Sequence, residues 1–360
     1  MGATPRYLVL IGSGEMAAQM ARVHRTVIKA LRASPTSPVP AAVIDTPFGF
    51  QENADSLSME LLDFFGRRLG LDVALASMRR SDSDILAREQ AYATIREAAF
   101  VFSGPGSPSY AAAQWSASEV PTLLAEKLVG GGAVVLASAA AATFGRLTVP
   151  VYEIYKGGAD PYWLPGLDVL SVLGIAAAVI PHWDNNDGSG HDTRFCFLGA
   201  RRLATLEREM PGDVAILGID EHTALLIDID ADTAAVHGRG NVTLRRGGAE
   251  TVYPSGADLS LAHLRTQTSA PIASAPSAKA EERVETNLAA RVLALESEVA
   301  DLRRRTELIE PLVDELLRLR AQARAMAAYE VADRIRDVLT GLGIEVTDEA
   351  DGTTEFHLPG

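Results

Sequence analysis

Four short apolar runs in the first 140 residues each end in a turn of small or polar residues. Tyr7 to Ile11 runs into Gly12-Ser13-Gly14-Glu15, Ala41 to Asp45 into Thr46-Pro47, Ala99 to Ser103 into Gly104-Pro105-Gly106, and Ala133 to Ala137 into Ser138. Runs this short and this uniformly apolar, without alternation, are the pattern of strands buried on both faces of a parallel sheet. Leu71 to Ala74 reads as one more short strand. Helical stretches lie between the runs, at roughly Met16 to Arg32, Gln51 to Leu69 and Asp82 to Ala98, with another leading to Gly130. The pattern predicts an α/β fold with a doubly wound, mostly parallel sheet. Such sheets bind ligands at the carboxyl ends of their strands, which is where Glu15, Asp45, Gly104 to Gly106 and Ser138 fall.

The stretch Gly131 to Gly145, GGAVVLASAAAATFG, combines a buried strand, a sharp turn at Ser138 and a small-residue helix. That is the layout of a nucleophile elbow, which lifts one side chain above the sheet edge and aims helix amides at it. A serine hydroxyl is a weak nucleophile until a base within hydrogen-bond reach takes its proton, and the base in turn needs a carboxylate behind it. His182 ends the apolar run Val169 to Pro181 and is the favoured base, with His191 in the DGSGHDT loop as the competitor. Glu153, in the loop or short strand Val149 to Gly158, is the favoured acid, and Asp184, Asp187 and Asp192 are the alternatives. The N–H of Ala139, with that of Gly106 or Gly104, would form the oxyanion hole; Pro105 has no N–H to give. Thr193 to Glu207 reads as an amphipathic helix carrying Arg194 and Cys196. From Asp213 to Tyr253 the apolar period becomes two, which predicts antiparallel strands closing one edge of the sheet.

The net charge of −14 argues against general affinity for nucleic acid or an anionic membrane. Cys196 is the single cysteine, so no intrachain disulfide can form, as expected of a cytoplasmic protein. No apolar stretch approaches a membrane span. No metal or organic cofactor is implied.

Residues 7 to 255 resemble the peptidase E and cyanophycinase group of serine peptidases, within the class I glutamine-amidotransferase-like superfamily. The stretches that carry the resemblance are GSGE, FSGPGS, ASAAA, VYEIYKGG, IPHWDN, HDTRFCFLGARRL and GIDEHTALLI. It implies a nucleophile at Ser138, an acid at Glu153 and a base at His182, in that chain order, and a small peptide or amide as substrate. Glu15, Asn185 and Arg194 lie where the group would hold that substrate. Two departures from the group's pattern are Leu136 and Ala140 flanking the elbow, and Gly104-Pro105-Gly106-Ser107 at the oxyanion turn. The amidotransferases of the superfamily carry cysteine at the elbow, so glutamine-dependent ammonia transfer is not expected. A non-catalytic binding or scaffold protein on the same fold is the competing expectation.

The α/β domain is expected over residues 1–262, followed by a Ser/Ala/Pro linker over 263–281 and a helical module over 282–360. Leu288, Val292, Leu295, Val299, Leu302 and Ile309 follow a heptad rhythm with Thr306 at its weak position, and Pro311 ends the run. Helices are expected over Leu312 to Ala325 and Met326 to Thr340, then two short strands around Asp351-Gly352. Ala325 to Phe356 resembles the C-terminal end of cysteinyl-tRNA synthetase. Residues 282–325, of mixed charge, are expected to pair with a second copy or a protein partner, ahead of tRNA.

Overall fold

The computed structural model describes residues 4–32, 34, 37–188, 190–265, 320, 336, 345–348 and 354–357. The chain divides into two units, Met1–Thr268 and Ser269–Gly360.

In the first unit the parallel core is β1 (Arg6–Ile11), β2 (Pro40–Ile44), β3 (Asp72–Ala76), β4 (Phe100–Ser103) and β5 (Gly132–Ala137). The helices between them are α1 (Ala18–Leu31), α2 (Ala54–Asp63, continued by a wider turn over Phe64–Arg68), α3 (Ile85–Glu97), α4 (Pro108–Ser116) and α5 (Val120–Gly130). The single helix expected before Gly130 is therefore two. Ser107 caps α4 by accepting from the Tyr110 amide, and Pro121 sits in the first turn of α5. The five strands run in the order β1-β5-β4-β2-β3, all parallel.

Beyond β5 come α6 (Ala139–Thr143), β6 (Leu147–Thr148), α7 (Val151–Tyr155), β7 (Leu164–Pro165), β8 (Ala177–Ile180), α8 (Gly199–Glu209) and the strands β9 (Ala215–Ile219), β10 (Thr223–Asp228), β11 (Thr233–Gly238), β12 (Asn241–Arg246), β13 (Ala249–Pro254) and β14 (Asp258–Ser260). Glu153 thus sits on a short helix rather than a loop or strand. The apolar run from Val169 splits into a 3-10 turn over Val169–Leu173 and β8.

The strands after residue 213 do not all close one edge of one sheet. β10 pairs antiparallel with β1, β11 with β10 and β14 with β11, completing an eight-stranded sheet. β9, β12 and β13 instead join a second sheet in the order β13-β12-β9-β8-β6-β7, where β9 runs parallel to β8. The cause is burial: Ala215 to Ile219 is buried on both faces, so it can lie in a sheet interior like the other uninterrupted runs.

Alternation along β1 and β5 sorts the core. Val9, Ile11, Val135 and Ala137 face α1 and α2, packing with Met20, Val27, Leu61 and Phe65. Leu8, Leu10, Val134 and Leu136 face the other way, towards α3, α4 and α5 and towards Val179, Leu217 and Ile219 of the second sheet. The second sheet therefore shares a core with the first. No helix among the described residues is long and apolar enough to cross a membrane.

In the second unit, Glu345–Asp348 and Thr354–His357 form an antiparallel pair, β15 and β16, as expected of the sequence around Asp351-Gly352. The heptad run, the helices expected over 312–340 apart from residues 320 and 336, and most of the synthetase-like segment lie outside the described residues.

His24 on α1 is buried among Phe64, Phe65, Phe100 and Phe102, and its Nε2 meets the carbonyl of Glu15 at 2.9 Å. Burial pushes its pKa down to about 4, outweighing the hydrogen bond that favours the charged form. A base with a depressed folded pKa stays neutral while the unfolded chain takes up a proton. Stability is therefore undiminished above the unfolded value near 6.5 and falls as pH drops towards 4. The loss attributable to His24 is on the order of 3 kcal/mol across that window. Chemical denaturation at pH 7 and pH 4.5 should show a smaller acid loss for His24→Leu than for the unmodified chain.

Candidate active site

The register of the main sheet brings four strand ends level. Ile11 pairs with Ala137, Leu136 with Ser103, and Ser103 with Ile44. Ser138 follows β5 directly and adopts φ 49°, ψ −118°, a strained conformation for a residue other than glycine. Its amide donates to the carbonyl of Ile11 at 3.0 Å, and the Ala140 amide donates to that of Gly104 at 3.2 Å. These bonds pin the turn between β1 and β4. Leu136 and Ala140, the flanks that depart from the peptidase pattern, are both fully buried. The hydroxyl they frame still reaches a histidine ring.

The side chain the Ser138 hydroxyl reaches is His182. Its Nε2 lies 2.9 Å from Ser138 Oγ, and its Nδ1 lies 2.8 Å from Glu221 Oε1. The network assigns the tautomer: Nδ1–H donates to the carboxylate, leaving the Nε2 lone pair to accept from the serine hydroxyl. His182 follows β8 and Glu221 follows β9. The parallel pairing of these strands, with Ile180 opposite Gly218, places both side chains at the same end of the second sheet. The Trp183 amide extends the pairing by donating to the Ile219 carbonyl at 3.0 Å. Asp184 Oδ1 accepts from the Glu221 amide at 2.7 Å, and buried Asn185 donates to Glu221 Oε1 at 3.3 Å and to Asp187 at 3.4 Å.

Glu153 is not the acid behind His182. Its carboxylate accepts from the Ser109 hydroxyl, and it lines a cavity with Phe50, Ser107, Tyr110 and Tyr152. The reason is topological: α7 leads away from β6, whereas Glu221 is carried to Nδ1 by the strand next to the histidine's own. The signal for Glu221 was present in the sequence. The fully apolar run AILGI ends in Asp220-Glu221-His222, as the other parallel runs end in polar turns. Asp184 and Asp187 support the Glu221 turn and the loop instead of touching the imidazole. His191 is exposed and stacks on Tyr155, with ring centroids 6.2 Å apart.

The first strand's glycine turn has a physical role in this arrangement. A Cβ at Gly12 would stand 2.1 Å from the carbonyl oxygen of Asp220, and one at Gly14 would stand 2.2 Å from the His222 ring. The Gly12 amide donates to the Thr223 carbonyl at 2.9 Å, and Ser13 Oγ accepts from the His222 amide at 3.2 Å. The turn that carries Glu221 rests on a surface only glycine leaves open.

Of the oxyanion candidates, Gly106 and Ala139 both line the small cavity beside Ser138. Ala139 is the first residue of α6, so its N–H has no partner within the helix. Gly106 has φ 146°, and a Cβ there would meet the Pro47 carbonyl oxygen at 1.9 Å, so the turn requires glycine. Gly104 contributes the carbonyl that holds Ala140.

The three expected substrate-holding residues separate. Glu15 is buried beside the site; burial raises its pKa, opposed by hydrogen bonding to its own backbone and by His182 and His222 nearby. Asn185 is committed to Glu221 and Asp187. Arg194 is exposed, clamped by both oxygens of Asp192 at 2.8 and 2.9 Å, and stacked over the Phe195 ring at 5.1 Å. The Arg194 hydrogen bonds hold the Asp192 carboxyl well below the usual range. The helix expected from Thr193 begins only at Gly199. Phe195, Cys196 and Phe197 have φ of 60°, 55° and 65°, a left-handed turn. The Phe195 and Cys196 amides donate to the carbonyls of Trp183 and His182 at 2.8 and 3.0 Å, and the Phe195 ring packs on Trp183.

The class of fold defined here is an α/β scaffold with an elbow serine at the carboxyl edge of its main sheet. Two solved structures share similarity with it. A peptidase from an acI-B1 actinobacterium aligns over 72% of this chain and 98% of its own, at 22% identity and a TM-score of 0.55, and shares the fold. A putative peptidase E protein from Listeria monocytogenes EGD-e aligns over 70% of this chain and 99% of its own, at 14% identity and a TM-score of 0.42. No protein-family model and no curated protein matches the sequence.

Cys196 lies in the same cavity, but burial, with the Glu221 charge adding to it, pushes its thiol up to about 12. Thiolate is the reactive form. Folded protein treated with iodoacetamide at pH 8 should stay unmodified at Cys196 by mass spectrometry, whereas denatured protein should alkylate.

Proposed function

We propose that the protein is a serine hydrolase that cleaves a small peptide or amide, with Ser138 as nucleophile, His182 as general base and then acid, and Glu221 as the orienting carboxylate. The observation that carries this reading is the continuous relay from Ser138 Oγ through the two nitrogens of His182 to Glu221 Oε1, at 2.9 and 2.8 Å. The shared fold with a solved peptidase agrees with it.

In the first step Ser138 Oγ attacks the substrate carbonyl carbon and its proton passes to His182 Nε2. Glu221 accepts from Nδ1–H throughout, keeping the ring in place and stabilising the imidazolium. The carbonyl oxygen gains the negative charge and takes hydrogen bonds from the Ala139 and Gly106 amides. His182 returns the proton to the leaving nitrogen as the C–N bond breaks, leaving an acyl group on Ser138. Water, deprotonated by the same histidine, then releases the acid.

A fluorophosphonate probe, mapped by mass spectrometry, tests the assignment. Ser138 should be the labelled residue, and Ser138→Ala and His182→Ala should abolish labelling. A folded protein that takes no label overturns the reading.

The two glutamates are separated by their amides. Glu221→Gln should slow labelling by about 10³-fold, because the amide no longer fixes the tautomer or the imidazolium. Glu153→Gln should leave the relay and its labelling intact.

A further inference from the structure

In the proposed reaction the scissile carbonyl fills the small cavity of about 50 Å³ beside Ser138, where nucleophile, base and oxyanion amides meet. The residue that carries this carbonyl must place its side chain elsewhere. Tyr152, part of the small cavity's wall, also lines a second cavity of about 500 Å³ with Phe50, Ser107, Ser109, Tyr110 and Glu153. The leaving nitrogen has to face His182 Nε2 to take its proton. The leaving part therefore extends towards the wall built by Pro181, Cys196 and Phe197, on either side of His182 along the chain. None of these residues lines the larger cavity, whose walls come from the turn after β2, the start of α4 and α7. The larger cavity thus lies on the acyl side.

Three aromatic rings line it, those of Phe50, Tyr110 and Tyr152. Phe50 is 51% exposed and Tyr152 37%, so both leave ring surface uncovered. The Phe50 and Tyr110 rings stand 5.0 Å apart at 53°, a tilted pair. Both are held from behind. A Cβ at Gly49 would stand 2.7 Å from Cβ of Arg79, so the turn bearing Phe50 is pressed against the segment after β3. Tyr110 Oη donates to the Arg79 carbonyl at 2.7 Å, and the Arg79 side chain is tied to Asp45 and Asp55 at 2.7 and 2.6 Å. Charges of both signs surround the cavity. Glu153 lines it while accepting from Ser109, and Lys156 lies over the Tyr152 ring at 4.8 Å without lining it. Arg79 and Arg80 are paired with Asp45, Asp55 and Asp82. Ring surface, more than net charge, is what the cavity offers a ligand.

We infer that this larger cavity is the seat of the acyl-side side chain, and that it takes an aromatic ring such as that of phenylalanine or tryptophan. The inference rests on the serine-hydrolase reading and deepens it by naming the substrate class. A ring placed among Phe50, Tyr110 and Tyr152 leaves water and gains tilted ring contacts on more than one side. A methyl group in its place buries little of that surface. An acidic side chain gains no ring contact and meets the Glu153 carboxylate.

The test uses the full chain and a set of α-aminoalkyl diphenyl phosphonates bearing the side chains of alanine, leucine, phenylalanine, tryptophan, lysine and aspartate. With each, Ser138 Oγ bonds to phosphorus, and phenoxide leaves and takes the hydroxyl proton through His182. The second-order inactivation rate therefore reads the fit of the side chain. A small fluorophosphonate, run in parallel, reports whether Ser138 is activated at all. The expected result is fluorophosphonate labelling with the phenylalanyl or tryptophyl reagent fastest, about tenfold ahead of the alanyl one and about 100-fold ahead of the aspartyl one. Phe50→Ala should cut the phenylalanyl-to-alanyl rate ratio by about tenfold, and a ratio taken within one preparation cancels any change in the relay itself. Fluorophosphonate labelling with the alanyl, lysyl or aspartyl reagent fastest, with rates independent of the side chain, or with none of the series reacting, overturns the inference and leaves the hydrolase reading standing. So does an unchanged ratio in Phe50→Ala. Absence of fluorophosphonate labelling in the unmodified chain overturns the hydrolase reading, and the inference with it.

Discussion

The site depends on how closely the turn Asp220 to His222 approaches the end of β1. That turn carries the acid of the relay, and it links a strand of the second sheet to one of the first. Its carbonyl oxygen at Asp220 occupies the space a Cβ on Gly12 would need, and the His222 ring occupies the space beside Gly14. A side chain at Gly12 would drive into the backbone of Ile219 and Asp220, and one at Gly14 would displace the His222 ring. The volume the glycines leave open is filled by protein. The relay is thus an inter-sheet structure: Ser138 stands on one sheet, His182 and Glu221 on the other, and the two glycines lie where the sheets approach.

Strain gathers at the same place. Eight residues other than glycine have positive φ among those described, and six of them are Ser138, His182, Phe195, Cys196, Phe197 and His222. Each such conformation costs on the order of 1 kcal/mol or more. It persists because the backbone around it is over-determined. The His182 carbonyl accepts from both Asn185 and Cys196, the Ser138 amide is bonded to Ile11, and the His222 amide to Ser13. The buried core on both faces of the main sheet supplies the rigidity these turns draw on.

Much of this was legible in the residues because uninterrupted apolar runs have one dominant meaning. The first, second, fourth and fifth parallel strands, and the elbow after the fifth, follow directly from such runs. The same rule, applied to Ala215 to Ile219, predicts a strand inside a parallel sheet with a polar turn at its end. The alternating stretches beside it, TALLIDI and NVTLRR, mask that signal, because a run of antiparallel strands has no reason to contain one parallel member. Glu153 draws attention by lying between the serine and the histidine, yet proximity along the chain has no bearing on which strand ends meet. The left-handed turn over Phe195–Phe197 was not legible for a different reason. Its conformation is imposed by carbonyls of Trp183 and His182 and by ring packing, all of them contacts with residues distant in sequence, while its local pattern favours a helix.

The order of the relay along the chain, serine, then histidine, then glutamate, has a consequence for synthesis. A ribosome that has delivered the elbow and the base has not yet delivered the acid. The acid arrives on the segment that must also pair β9 with β8 and β10 with β1. Until then the imidazole lacks the Glu221 carboxylate that the folded chain places 2.8 Å from its Nδ1. On the proposed reading the nascent chain therefore carries its serine in a latent form, and the relay is completed only when the two sheets close against each other.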